Sequence, residues 1–135
     1  MRYQESNEQQ ALFRWAEFFE NYHPELKLMY HVPNEGLRTK ANGARLKAEG
    51  MKSGVPDICL PCARGGFHGL YIEMKAGNGK PTHKQQQWIA DLNAEGYYAV
   101  ICYGWEAAQK VIVMYLKGEI KREDIGGVRG KSGGM

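Results

Sequence analysis

Leu12, Trp15, Ala16 and Phe19 recur at i, i+3, i+4 and i+7, the spacing of one face of a helix. Ser6 followed by Gln9 has the spacing of a capping box, so the first helix is predicted over about residues 6–22. His23-Pro24 stops it, because proline disfavours helical geometry in the residue before it. Leu28 to Val32 reads as a strand, with an exit loop over Pro33 to Gly36. A weaker helix follows over about residues 40–49, ending at Gly50. Pro56–Leu60 and Leu70–Lys75 are short apolar runs that read as strands, separated by Arg64-Gly65-Gly66. Thr82 and Gln85 repeat the capping spacing ahead of Trp88, Ile89 and Leu92, and Gly96 ends that helix. Tyr97–Cys102 is the last strand, and Ala108, Val111, Ile112, Tyr115 and Leu116 mark a last helix ending at Gly118.

The predicted order is therefore α-β-α-β-β-α-β-α, an α/β fold with a central mixed β-sheet flanked by helices. The short connection over residues 61–69 makes the two middle strands an antiparallel pair. With 135 residues, 43% of them hydrophobic and 24% charged, the chain suits one globular domain. That domain is expected over residues 1–117, with a flexible Gly-rich tail over 118–135. No run approaches the roughly 20 apolar residues of a membrane helix, and the first residues lack the apolar stretch of a secretion signal. The three cysteines are an odd number, which argues against a disulfide framework and for a reducing, cytoplasmic setting.

Charge changes the picture in one place. The net charge is only +3, but residues 34–54 carry Arg38, Lys40, Arg45, Lys47 and Lys52 against Glu35 and Glu49. A short, Gly-punctuated basic segment could contact phosphates, although a solvated helix face has the same composition.

The chemistry is carried by the two middle strands. The first opens with Asp57, and the second holds Glu73 and Lys75 around Met74. Side chains alternate along a strand, so Glu73 and Lys75 share a face. If Asp57 points the same way, two carboxylates and an ammonium converge. Such a set suits Mg²⁺ or Mn²⁺, with Asp57 and Glu73 as ligands and the backbone carbonyl of Met74 as a further oxygen. A metal there would stabilise charge on a phosphate oxygen and activate a water, which Lys75 could orient or help deprotonate. A Glu–Lys pair on an exposed strand face is common and inert. In a sheet covered by helices an unpartnered carboxylate is costly, which favours the functional reading.

Glu8 lies on the inward stripe of the first helix, four residues before Leu12, and is a further candidate ligand and catalytic group; a first-turn acid complementing the helix dipole is the plainer role. Gln85 holds the same relation to Trp88, Ile89 and Leu92, with the capping box as its plainer role. Cys59 and Cys62 form a C-x-x-C without a second pair, so small buried thiols are expected rather than a zinc or redox site. Trp88, Tyr97 and Tyr98 are expected in the core, and the histidines on the surface.

Taken together, Asp57 in GVPDI and Glu73-Met74-Lys75 in YIEMK resemble the PD-(D/E)xK nuclease core. The chain is more narrowly similar to the VRR-NUC group, the virus-type replication-repair nucleases. The likeness extends through Asn34-Glu35-Gly36 with Arg38, Gly54-Val55-Pro56-Asp57, and Thr82, Gln85, Trp88, Leu92 and Gly96, over about residues 5–117. It implies a restriction-endonuclease-like core and a metal-dependent DNA endonuclease using Glu8, Asp57, Glu73, Lys75 and Gln85. Asn34, Arg38, Lys40, Arg45 and Lys52 would then contact DNA. It also implies a homodimer acting on branched DNA such as four-way (Holliday) junctions, in a bacterial or phage-infected cell. A non-catalytic DNA-binding module and a hydrolase of other phosphoesters remain the alternatives.

Overall fold

A computed structural model describes residues 3–33 and 40–122. Four helices and four strands follow one another as α1 (Tyr3–Phe18), β1 (Tyr30–His31), α2 (Lys40–Ala48), β2 (Ile58–Leu60), β3 (Leu70–Lys75), α3 (His83–Ala94), β4 (Tyr98–Tyr103) and α4 (Trp105–Leu116). The sheet runs β1-β2-β3-β4. Its first two pairings are antiparallel and the third, across the α3 crossover, is parallel. This is the mixed α/β architecture that the alternating pattern predicts. Among the described residues no helix is long and apolar enough to cross a membrane.

The core forms on one side of the sheet. Ile58 and Leu60 of β2 and Leu70, Ile72 and Met74 of β3 pack with Leu12 and Ala16 of α1 and with Ala108, Ile112 and Tyr115 of α4. Even-numbered β3 positions thus enter this core, and strand alternation sends Tyr71, Glu73 and Lys75 to the other face. Tyr115 also anchors the connection after β2: its hydroxyl donates to the Cys62 carbonyl at 2.6 Å in a buried setting. Burial raises the Tyr115 pKa to about 12, which keeps this donor protonated.

Helix α3 starts as its sequence dictates. The Thr82 hydroxyl accepts from the Gln85 N–H, and the Gln85 side chain accepts from the Thr82 N–H. At its other end Asn93 acts as a substitute strand: its amide donates to the Ala99 carbonyl at 3.0 Å and accepts from the Ala99 N–H at 2.9 Å. That pairing satisfies backbone groups on the outer edge of β4, where an open ladder would invite association.

Two elements depart from expectation. Helix α1 begins at Tyr3, before Ser6, whose hydroxyl instead accepts from the Gln10 side chain one turn on. The extra first turn carries Glu5 into the fold, where its carboxylate is buried beside Lys75. The predicted strand over 28–32 shortens to Tyr30–His31, because Pro24 opens a 3-10 turn over Pro24–Leu28 that buries Leu26. Beyond Gly118 the chain stays docked as far as Arg122. Ile120 packs against the core, and the Arg122 N–H donates to the Gly65 carbonyl. Residues 123–135 of the predicted tail lie outside the described residues. Cys59, Cys62 and Cys102 are buried free thiols.

Candidate active site

The β2–β3 register pairs Ile58 with Ile72. Extended by one residue, it sets Asp57 opposite Glu73, and directly opposed residues project to the same face. The Met74 N–H donates to Asp57 Oδ2 at 2.8 Å, fixing this carboxylate against β3. Lys75 Nζ lies 3.7 Å from Glu73 Oε2 and 3.9 Å from Glu5 Oε2. All four residues are buried, none more than 7% exposed. Three carboxylates and one ammonium leave this set with a formal charge of −2, an arrangement that is costly in a low-dielectric interior without further countercharge.

The structure brings Asp57, Glu73 and Lys75 together as the strand argument requires. Glu8 has a different partner. Glu8 Oε1 accepts from the Trp105 N–H at 2.7 Å, capping the first turn of α4 from outside that helix. Glu5, one turn earlier, is the α1 carboxylate in contact with Lys75. Gln9, one turn after Glu5, carries a buried Oε1 that accepts no hydrogen bond among the described residues. The sequence signal for both is spacing: Glu5 stands seven residues before Leu12 and four before Gln9. Gln85 is buried, and its oxygen is committed to Thr82, so any role toward a phosphate falls to the Nε2 donor.

The basic candidates are scattered. Asn34 and Arg38 lie outside the described residues. Lys40 is exposed at the start of α2, and Arg45 pairs with Glu49 at 3.0 Å with both side chains 58% exposed. Such a pair contributes little to stability. Lys52 joins Lys47 and Lys84 around a groove between α2 and α3.

Among the described residues no three Asp, Glu, His or Cys side chains form a ready cage for a metal. The donor set nevertheless fits Mg²⁺ or Mn²⁺, which take one or two protein carboxylates and complete their shell with waters and substrate oxygens. Asp57 and Glu73 supply those carboxylates, Met74 a strand carbonyl between Glu73 and Lys75, and the excess negative charge of the cluster complements a divalent cation.

A family profile described as "VRR-NUC domain" matches residues 1–106. A solved structure titled "VRR_NUC domain protein" is similar at 31% sequence identity and a TM-score of 0.73, covering 87% of this chain and 92% of the other. No curated protein matches the chain. Profile and fold agree, and the chain belongs to the VRR-NUC domain family of nucleases.

Proposed function

We propose that this protein is a Mg²⁺- or Mn²⁺-dependent endodeoxyribonuclease that hydrolyses phosphodiester bonds in branched DNA, four-way junctions included. The observation that carries this reading is the buried convergence of Glu5, Asp57, Glu73 and Lys75. Asp57, Glu73 and the Met74 carbonyl would hold the metal. When bound, it supplies Lewis-acid stabilisation of the phosphate oxygens and a more acidic water.

The chain's own groups do the rest. Lys75, set between Glu73 and Glu5, is placed to hydrogen-bond the attacking water and to offset charge building on the phosphate. The water oxygen attacks phosphorus and its proton passes to the carboxylate side of this cluster, where Glu5 is the acceptor supplied by α1; the bond to the leaving oxygen breaks, and that oxygen takes a proton from solvent water. The hydrogen bond from Met74 holds Asp57 in place, so little reorganisation is needed as charge develops. Gln85 Nε2 is a donor available for a non-bridging phosphate oxygen.

A second copy of the chain is the partner this reading requires, since two cutting centres suit a four-armed substrate. Its support is an exposed aromatic surface on and after α1: Phe18 is 79% and Tyr22 75% exposed, beside a groove bordered by Trp15, Phe19 and Trp105. The buried free thiols are compatible with action in a reducing cytoplasm.

The test is purified protein with Mg²⁺ or Mn²⁺ on linear duplex, flap, single-stranded and four-way-junction DNA, with a chelator control. Cutting of junctions that stops with chelator and with Glu73→Gln is the expected result. Absence of metal-dependent cutting on every substrate would overturn the reading.

A further inference from the structure

Helices α2 and α3 and the loop before β2 border a groove of about 380 Å³. Lys47, Lys52 and Lys84 line it with Met51, Trp88 and one acid, Asp91. The loop is pressed onto α3. The Trp88 Nε1–H donates to the Ser53 carbonyl at 3.2 Å, and Lys84 Nζ donates to the Ser53 hydroxyl at 3.2 Å. A Cβ on Gly54, whose φ is +91°, would stand 2.9 Å from the Lys84 Cβ. Ser53 is four residues before Asp57, and Lys84 immediately precedes Gln85. The chain thus links the groove to the acidic site through the short loop ahead of Asp57 and through neighbouring positions of α3.

We infer that this groove takes one unpaired nucleotide of the DNA strand next to the bond being cut, with its base against the Trp88 indole and its phosphate among the three lysines. Three ammonium groups against one carboxylate give the lining a net positive charge, which a phosphate complements. Bases stack on aromatic side chains without regard to sequence. The volume lies near the small end of ligand pockets, roughly 300–1,000 Å³, which suits a single nucleotide. The inference rests on the reading of the chain as a DNA nuclease and deepens it: the substrate carries an unpaired base at the cut, as branch points, flaps and frayed ends do.

The direct test is photocrosslinking of the full chain, in chelator, to single-stranded DNA carrying iododeoxyuridine, with the attachment mapped by peptide mass spectrometry. Attachment at Trp88 is expected. No attachment, or attachment confined to residues away from the groove, overturns the inference whether or not the protein cuts DNA. Attachment at Trp88 in a chain that cuts no DNA upholds the groove and removes the nuclease reading. In the cutting assay, Trp88→Leu should lower cleavage beside an unpaired base about tenfold relative to fully paired duplex, the lower end of what a stacked base contributes. Trp88→Phe, which keeps an aromatic face, should restore most of it. Equal losses on both substrates would overturn the inference, and if Trp88→Leu does not fold, the crosslink in the unaltered chain decides.

Discussion

The backbone N–H of Met74 donates a 2.8 Å hydrogen bond to Asp57 Oδ2, so the carboxylate ahead of β2 is tied to the residue between Glu73 and Lys75. Bonds of this kind to a charged acceptor contribute about 1.5–3 kcal/mol. Asp57→Asn keeps an oxygen able to accept from Met74 but removes the charge. Its cleavage rate should fall by at least about 100-fold, the lower range for removing a group that stabilises transition-state charge, with little change in melting temperature. Asp57→Ala should lose both activity and about 1–3 kcal/mol of stability, because it orphans a buried N–H. Parallel cleavage and thermal-melt measurements separate the two.

Glu5, rather than Glu8, should be the α1 acid on which cleavage depends. Glu5→Gln removes the α1 carboxylate beside Lys75 and should suppress cleavage while leaving α4 intact. Glu8→Ala removes the acceptor for the Trp105 N–H and should cost about 1 kcal/mol, the usual loss of a helix cap. For a chain of this size that is a fall of about 4 °C in Tm. Cleavage that survives Glu5→Gln but not a folded Glu8→Ala would reverse the assignment.

Added metal should stabilise the folded chain. A ligand that binds only the native state at 100 times its Kd adds about 2.7 kcal/mol. Mg²⁺ or Mn²⁺ should therefore raise Tm by several degrees in the unaltered chain and by much less in Glu73→Gln. Equal shifts in both chains would remove Glu73 as a ligand.

Glu25 gives a pH dependence remote from the site. Its own backbone N–H and the Arg64 guanidinium, 2.6 Å away, hold its carboxyl below its usual value of 4.5. A depressed native pKa contributes stability that is present above the unfolded value and is lost as pH falls through the native one. Glu25→Gln should flatten the stability profile below about pH 4.5, by no more than about 1 kcal/mol for a half-exposed pair. Denaturant melts between pH 3 and 7 would check the slope.

The strand half of the site was legible because period two is unambiguous. In LYIEMK, Glu73 and Lys75 must share a face, and an antiparallel partner of the right register brings Asp57 opposite Glu73. The helix half was not. Glu5 and Glu8 stand seven and four residues before Leu12, so both fall on one stripe and the 3.6-residue period cannot choose between them. The apparent cap at Ser6 then placed Glu5 before the helix. Burial overrode that local signal, since only a helix begun at Tyr3 delivers Glu5 to Lys75. The spacing of Trp88 with Leu92 predicts a buried stripe; its position on a groove depends on the loop through Ser53, which no periodicity encodes.

Helix α1 is held at two points a single turn apart, with Glu8 clasping the start of α4 and Glu5 reaching the ammonium at the end of β3. One acid fixes the helix to α4 and the other presents its carboxylate to the end of β3. Small shifts in how Leu12 and Ala16 seat against Ile112 would displace that carboxylate, so substitutions deep in the apolar layer can detune the cutting centre without touching it.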